Sequence, residues 1–120
     1  MVNYILVFIG GGLGSICRYG IAHGMSNYKL DFPLATLIAN AFACIILGAM
    51  IGLQLKNGVS NTQKFVIMTG FCGGFSTFST FSAETMQLFE SGQIGLALTN
   101  VGLSLLICLI CIYLGMKTCV

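Results

Sequence analysis

Residues 70–84 read GFCGGFSTFSTFSAE, so three glycines, four phenylalanines and five hydroxyl side chains share one nearly uncharged stretch. A helix that met only lipid would be built of Leu, Ile and Val. Adjacent Gly73 and Gly74 would each cost about 1 kcal/mol in a helix interior. Broken backbone is tolerated inside a membrane only where protein or a cavity satisfies the freed polar groups. The segment is therefore expected to line something polar. Phe75, Phe78 and Phe81 recur every three residues, with Ser76, Thr77, Ser79, Thr80 and Ser82 between them. The spacing fits a packing stripe. It also fits rings that turn their positive edges to an anion without the strong trap a lysine would form. Glu84 follows one turn after Thr80. A carboxylate at a helix centre costs at least about 2.5 kcal/mol in a bilayer, so Glu84 is expected to face water or a protein partner.

Other polar residues sit in equally apolar surroundings. Thr36, Asn40, Cys44 and Gly48 fall at four-residue intervals, hence on one helix stripe. Asn40 serves either as an interhelical hydrogen bonder or as an NH₂ donor to a permeating anion, because a bare amide in hydrocarbon is costly. Asn100, Ser104 and Cys108 repeat the spacing further on. Three donor stripes in so short a chain suggest a conduit, and four helices that must also pack suggest an oligomer. Arg18 lies one turn beyond Gly14, where a cation either snorkels to the interface or attracts anions. Gly10 with Gly14, and Gly11 with Ser15, are small-xxx-small pairs that let backbones approach. No catalytic constellation is present: His23 has no acid or nucleophile nearby, no phosphate loop or HExxH occurs, and the Ser/Thr cluster lacks a base.

The elements that must position these residues follow from composition. The chain is 57% hydrophobic and 7% charged over 120 residues, where soluble domains carry roughly 25% charge. Eight charged side chains cannot cover a soluble surface, so the expected solvent is the bilayer. A net charge of +2 without a basic cluster speaks against nucleic acid. Four segments, about 3–22, 33–54, 64–89 and 94–116, meet the length of a membrane helix. The first lacks a basic leader and carries Arg18 where a cleavage site would fall, so it is expected to be retained. Asp31 before Pro33 marks a helix start, Ser60 with Gln63 a capping box, and Gly92 a turn. Residues 1–120 are expected to form a single four-helix transmembrane domain. The six cysteines are expected to be packing thiols; Cys108 and Cys111 are spaced CxxC but lack a second pair or a histidine. Four crossings put Lys56, Lys64 and Lys117 on one side and Arg18 and Lys29 on the other. Three against two gives almost no positive-inside preference. That balance fits either a weakly biased fixed topology or a chain that inserts both ways and pairs with its inverted twin.

GGGLGSICRY at 10–19, PLATLIAN at 33–40 and above all TGFCGGFSTFSTFSAE at 69–84 resemble the CrcB/Fluc fluoride channels of microbes, in an order and spacing that span the whole chain. The resemblance implies an all-α integral membrane protein of the cell membrane. It implies four transmembrane helices with the third broken near its middle, assembled as an antiparallel homodimer with two fluoride pathways between subunits. It places the family's pore phenylalanines on Phe78 and Phe81, its pore asparagine on Asn40, hydroxyls after the break on Ser79 and Thr80, and the fourth-helix polar track on Asn100 and Ser104. Glu84 and Arg18 are counted as further pathway candidates. The break is expected at residues 73–76, where the resemblance implies a structural Na⁺ on the dimer axis held by the backbone carbonyls of Gly73 and Ser76. The chain departs from the family pattern at Phe75, where a Leu-like residue is usual, at Ser76 for Thr, and at Asn100, where many members have Tyr. The implied function is passive fluoride export, without enzymatic chemistry. Neutral donors suit it, because fluoride must exchange a strong hydration shell for closely spaced hydrogen bonds without being trapped. The alternatives are a fluoride/proton antiporter with Glu84 as proton carrier, a non-transporting assembly subunit, and a small proton-coupled multidrug exporter. The last needs an acidic residue in the first helix, and residues 3–22 have none.

Overall fold

In a computed structural model that describes residues 1–119, all regular structure among the described residues is helical. Helix α1 spans Val2–Gly24, α2 Leu34–Lys56, α3 residues 61–75, α4 Phe78–Glu90 and α5 Ile94–Thr118. Three of these, α1, α2 and α5, are long and apolar enough to cross a membrane. At about 1.5 Å per residue, 23 residues reach past a hydrocarbon core of roughly 30 Å. The third apolar segment is divided between α3 and α4. Helix is the natural outcome here because lipid leaves every backbone N–H and C=O to be satisfied within the chain.

The helices pack as two pairs through glycine seams. Gly10 and Gly14 of α1 lie on α3. A Cβ at Gly10 would collide with the Val66 carbonyl, and one at Gly14 with the Phe71 carbonyl. Gly74 of α3 in turn meets the Gly11 carbonyl. Helices α2 and α5 form the second seam, with Gly48 on Ile112, Gly52 on Met116 and Gly115 on Ile45. Residue numbers rise together from Gly10–Val66 to Gly14–Phe71 and from Gly48–Ile112 to Gly52–Met116, so each pair is parallel. Lipid tails are as apolar as leucine, so such seams are held by close van der Waals contact rather than by hydrophobic burial. Ala39, Ala43 and Phe75 form the small core where the pairs meet.

Local signals are met unevenly. The Ser60–Gln63 capping box forms, and Gly92 takes a φ of 82° at its turn. The helix start marked by Asp31 and Pro33 also forms, with Pro33 as the N-cap of α2, and Asp31 accepts a bond from Gln93 at 3.2 Å. The break expected at residues 73–76 is met only at its last residue and extends one residue beyond it. Gly73 has ordinary helical angles, φ −65° and ψ −35°, and α3 continues to Phe75. Extended backbone begins at Ser76, ψ 155°, and continues through Thr77, φ −150° and ψ 119°. Glycine permits a break but does not impose one. Gly74 is placed for close approach to α1, and the break falls where a side chain from α2 reaches the backbone. Between Lys64 and Cys72 α3 is wound as a π-helix.

Candidate functional site

The break is held by Asn40. Its Oδ1 accepts from the Thr77 amide at 2.8 Å, and its Nδ2 donates to the Thr77 carbonyl at 3.3 Å. One side chain of α2 thus replaces both helical partners of one residue. The Thr77 hydroxyl then caps α4, accepting from the Thr80 amide at 3.1 Å. On the other side, Ser76 donates its backbone N–H and its hydroxyl to the Cys72 carbonyl at 3.0 and 2.7 Å. Arg18 donates from Nε to the Gly74 carbonyl at 3.1 Å.

These bonds have an electrostatic consequence. In a continuous helix the Thr77 amide would serve the Gly73 carbonyl and the Thr80 amide the Ser76 carbonyl. Asn40 and the Thr77 hydroxyl take those two donors. The Gly73 and Ser76 oxygens are thereby released from helical bonding, as the negative ends of a broken ladder.

The break also opens space. A cavity of about 230 Å³ is lined by Asn40, Cys44, Ser76, Thr77, Phe78, Phe81, Ser104, Leu105 and Cys108. The rings of Phe78 and Phe81 stand 5.8 Å apart at 41°. Asn40 uses one Nδ2 hydrogen on Thr77 and has a second. A second cavity, about 260 Å³, lies across Thr77 and is walled by Ser15, Arg18, Thr36 and Thr80 among others. Thr36 carries the line onward by donating to the Glu84 carboxylate, which borders a third cavity beside Met25 and Tyr28. An amide and two aromatic rings, then a cation with hydroxyls, then a carboxylate thus line successive cavities past the break. Such a series offers an anion neutral donors near a single positive charge, and no nucleophile–base pair.

The sequence-derived candidates separate accordingly. Asn40, Phe78, Phe81 and Ser104 share the first cavity, Arg18 and Thr80 the second, and Glu84 the third. Ser79 is exposed, its hydroxyl 3.3 Å from that of Thr77. Asn100 is 1% exposed and lines none of these three cavities. Its Nδ2 donates to the Thr85 hydroxyl at 2.8 Å, and its Oδ1 accepts from Ser104 at 3.2 Å. Gly73 is exposed, and a Cβ there would meet nothing within 4 Å. Thr77 and Thr85 were not singled out from sequence. Thr77 could have been found as the N-cap of α4, three residues before Thr80. Thr85 follows Phe81 by one turn and donates to its carbonyl at 2.7 Å.

Comparison with known proteins identifies the family. The profile of the CrcB-like protein, Camphor Resistance (CrcB) family matches residues 5–116. The chain is 44% identical over 111 residues to the fluoride-specific ion channel FluC of Pyrococcus horikoshii, covering 92% of this chain and 89% of that one. It is 46% identical over 112 residues to the FluC of Pyrococcus abyssi, covering 92% and 90%. It is 38% identical over 118 residues to that of Flavobacterium psychrophilum, covering 97% and 95%. With the profile spanning almost the whole chain and these relatives aligned over most of their own length, the chain belongs to the CrcB family.

Proposed function

We propose that this protein is a fluoride channel, a multi-pass membrane protein that lets fluoride cross passively and so lowers its cytoplasmic concentration. The observation that carries the reading is the Asn40–Thr77 clasp: it holds a helix broken and sets an amide, Phe78, Phe81 and Ser104 around one cavity. The named function of the relatives points the same way. Asn40, Phe78, Phe81 and Ser104 form one stretch of the path, and Thr80 and Arg18 another. Ser79 and Glu84 serve toward its ends. Asn100 acts on the path through Ser104, whose hydroxyl it receives.

The finer architecture is one transmembrane unit of four crossings, with α3 and α4 together as the third, paired with an inverted copy of itself. The cavity at Phe78 supports this, because Phe78 is 78% exposed in the single chain and needs a second wall. The nearly even split of basic residues suits insertion in both orientations. A structural Na⁺ on the axis fits the residues present. The Gly73 and Ser76 carbonyls have lost their helical donors, and oxygen ligands suit hard cations. Its contribution would be to hold two broken helices together.

Fluoride efflux from proteoliposomes under an imposed potential, without a pH gradient, tests the function. Rapid efflux is expected. Efflux that requires a proton gradient would favour an antiporter using Glu84, and no efflux would leave an assembly subunit. Tags at the C-terminus are expected to be reachable from both faces of the membrane; labelling from one face alone would refute the inverted pair.

A further inference from the structure

Cys44 and Cys108 have no part in the path described above, yet both lie on the wall of its first cavity. Each precedes by four residues a point where two backbones touch, since Gly48 lies against Ile112 across the parallel seam of α2 and α5. One helical turn back along both helices, the two thiols fall on the same side of the seam and line one cavity together. Among the described residues no three Cys, His, Asp or Glu side chains converge to hold a metal. Zinc, which takes four ligands, is therefore unsuited. Two thiols so placed are instead the donor set of a soft closed-shell cation that accepts two sulfurs in a line, and thiolate sulfur selects such ions over hard ones.

We propose that Cys44 and Cys108 form a two-coordinate thiolate site for a soft d¹⁰ cation such as Cu⁺ or Hg²⁺, and that its occupation closes the cavity at Asn40 and Phe81 to the anion. Binding exchanges protons for metal: two S–H bonds break heterolytically, two sulfur–metal bonds form, two protons leave to water, and no electron changes hands. With Hg²⁺ the product is neutral, which suits an apolar wall. With Cu⁺ it keeps one negative charge, which adds repulsion of an anion to simple obstruction. The binding half stands on the thiol geometry alone; the closing half rests on the channel reading.

The test separates the two halves. Purified protein in detergent is titrated with HgCl₂, followed by sulfur-to-mercury charge-transfer absorption, then washed with excess 2-mercaptoethanol to strip mercury held by single thiols. One retained Hg²⁺ per chain is expected. It should be lost in Cys44→Ala and in Cys108→Ala, and kept in Cys17→Ser, Cys72→Ala and Cys111→Ala. Cys44→Ser and Cys108→Ser replace the alanine variants if those fail to fold. Retention in either the Cys44 or the Cys108 variant, or loss on changing Cys72 or Cys111, would overturn the site. In proteoliposomes, mercury should bring wild-type fluoride efflux down to that of protein-free vesicles, reversibly with a dithiol. The Cys44 and Cys108 variants should each hold their own metal-free rate. Retained mercury with undiminished efflux would overturn the closure. Failure of metal-free wild-type protein to pass fluoride would sink the channel reading instead, with the absorption titration still deciding the site.

Discussion

Two asparagines stand in the apolar interior of this protein, and they do opposite things. Asn40 bonds to backbone, taking the amide and carbonyl of Thr77, and remains on the wall of a cavity. Asn100 bonds to side chains, between Thr85 and Ser104, and is sealed from solvent. The first keeps a helix open and the second fastens α4 to α5. The difference lies in the partner. A side chain that substitutes for a helical donor and acceptor commits the backbone to a different path, while one that meets another side chain leaves both helices intact.

The largest effect is expected from breaking the clasp. Asn40→Leu leaves the Thr77 amide and carbonyl without partners, at about 1–3 kcal/mol for each buried group. Fluoride efflux should vanish and thermal unfolding in detergent should shift down. Asn40→Asp keeps the acceptor for the Thr77 amide, loses both NH₂ donors and adds a charge that repels the anion. Its efflux should fall steeply while the fold survives. Wild-type efflux in both would move Asn40 off the path and make it a second Asn100.

Next come the rings beside the clasp. Phe78→Ile and Phe81→Ile keep apolar bulk and remove the positive ring edge. Each should lower efflux strongly with little change in unfolding temperature. If both conduct normally, the phenylalanines belong to packing.

The glycines at the same break sharpen the comparison. Gly74→Val must push α3 away from the Gly11 carbonyl, so the single chain should fold poorly. Gly73→Val meets nothing within its own chain. If it nonetheless weakens the proposed dimer or abolishes efflux, the cause lies across an interface or at an ion. Ser76→Thr keeps the carbonyl and the hydroxyl and should be nearly silent. Size-exclusion profiles paired with efflux distinguish these cases.

The smallest effect belongs to the sealed asparagine. In a double-mutant cycle, Asn100→Ala and Thr85→Val should couple by about 0.6 kcal/mol, the average for interhelical hydrogen bonds in membranes. Efflux should change by less than the ring substitutions cause. A loss as complete as that of Asn40→Leu would mean that Asn100 also touches the anion.

The membrane class, the apolar segments, the helical capping box at Ser60 and the polar stripes on successive helices were legible in the chain alone. They depend on composition, period and neighbours a few residues away. The α1–α3 seam was half visible as Gly10 and Gly14, because a small residue every fourth position has few other uses in lipid. The α2–α5 seam at Gly48, Gly52 and Gly115 went unread, since nothing along α2 names the helix that covers it. The break was expected at residues 73–76, beginning at the glycines, and occurs at Ser76 and Thr77. Local flexibility is a property of the residues that bend, but the bend itself is made by Asn40, 37 positions away. Tertiary structure also separated Asn40 from Asn100, which are identical in kind and similar in surroundings along the chain. Which hydrogen-bond partner an amide meets in hydrocarbon depends on the neighbouring helix, and only packing puts that helix in place.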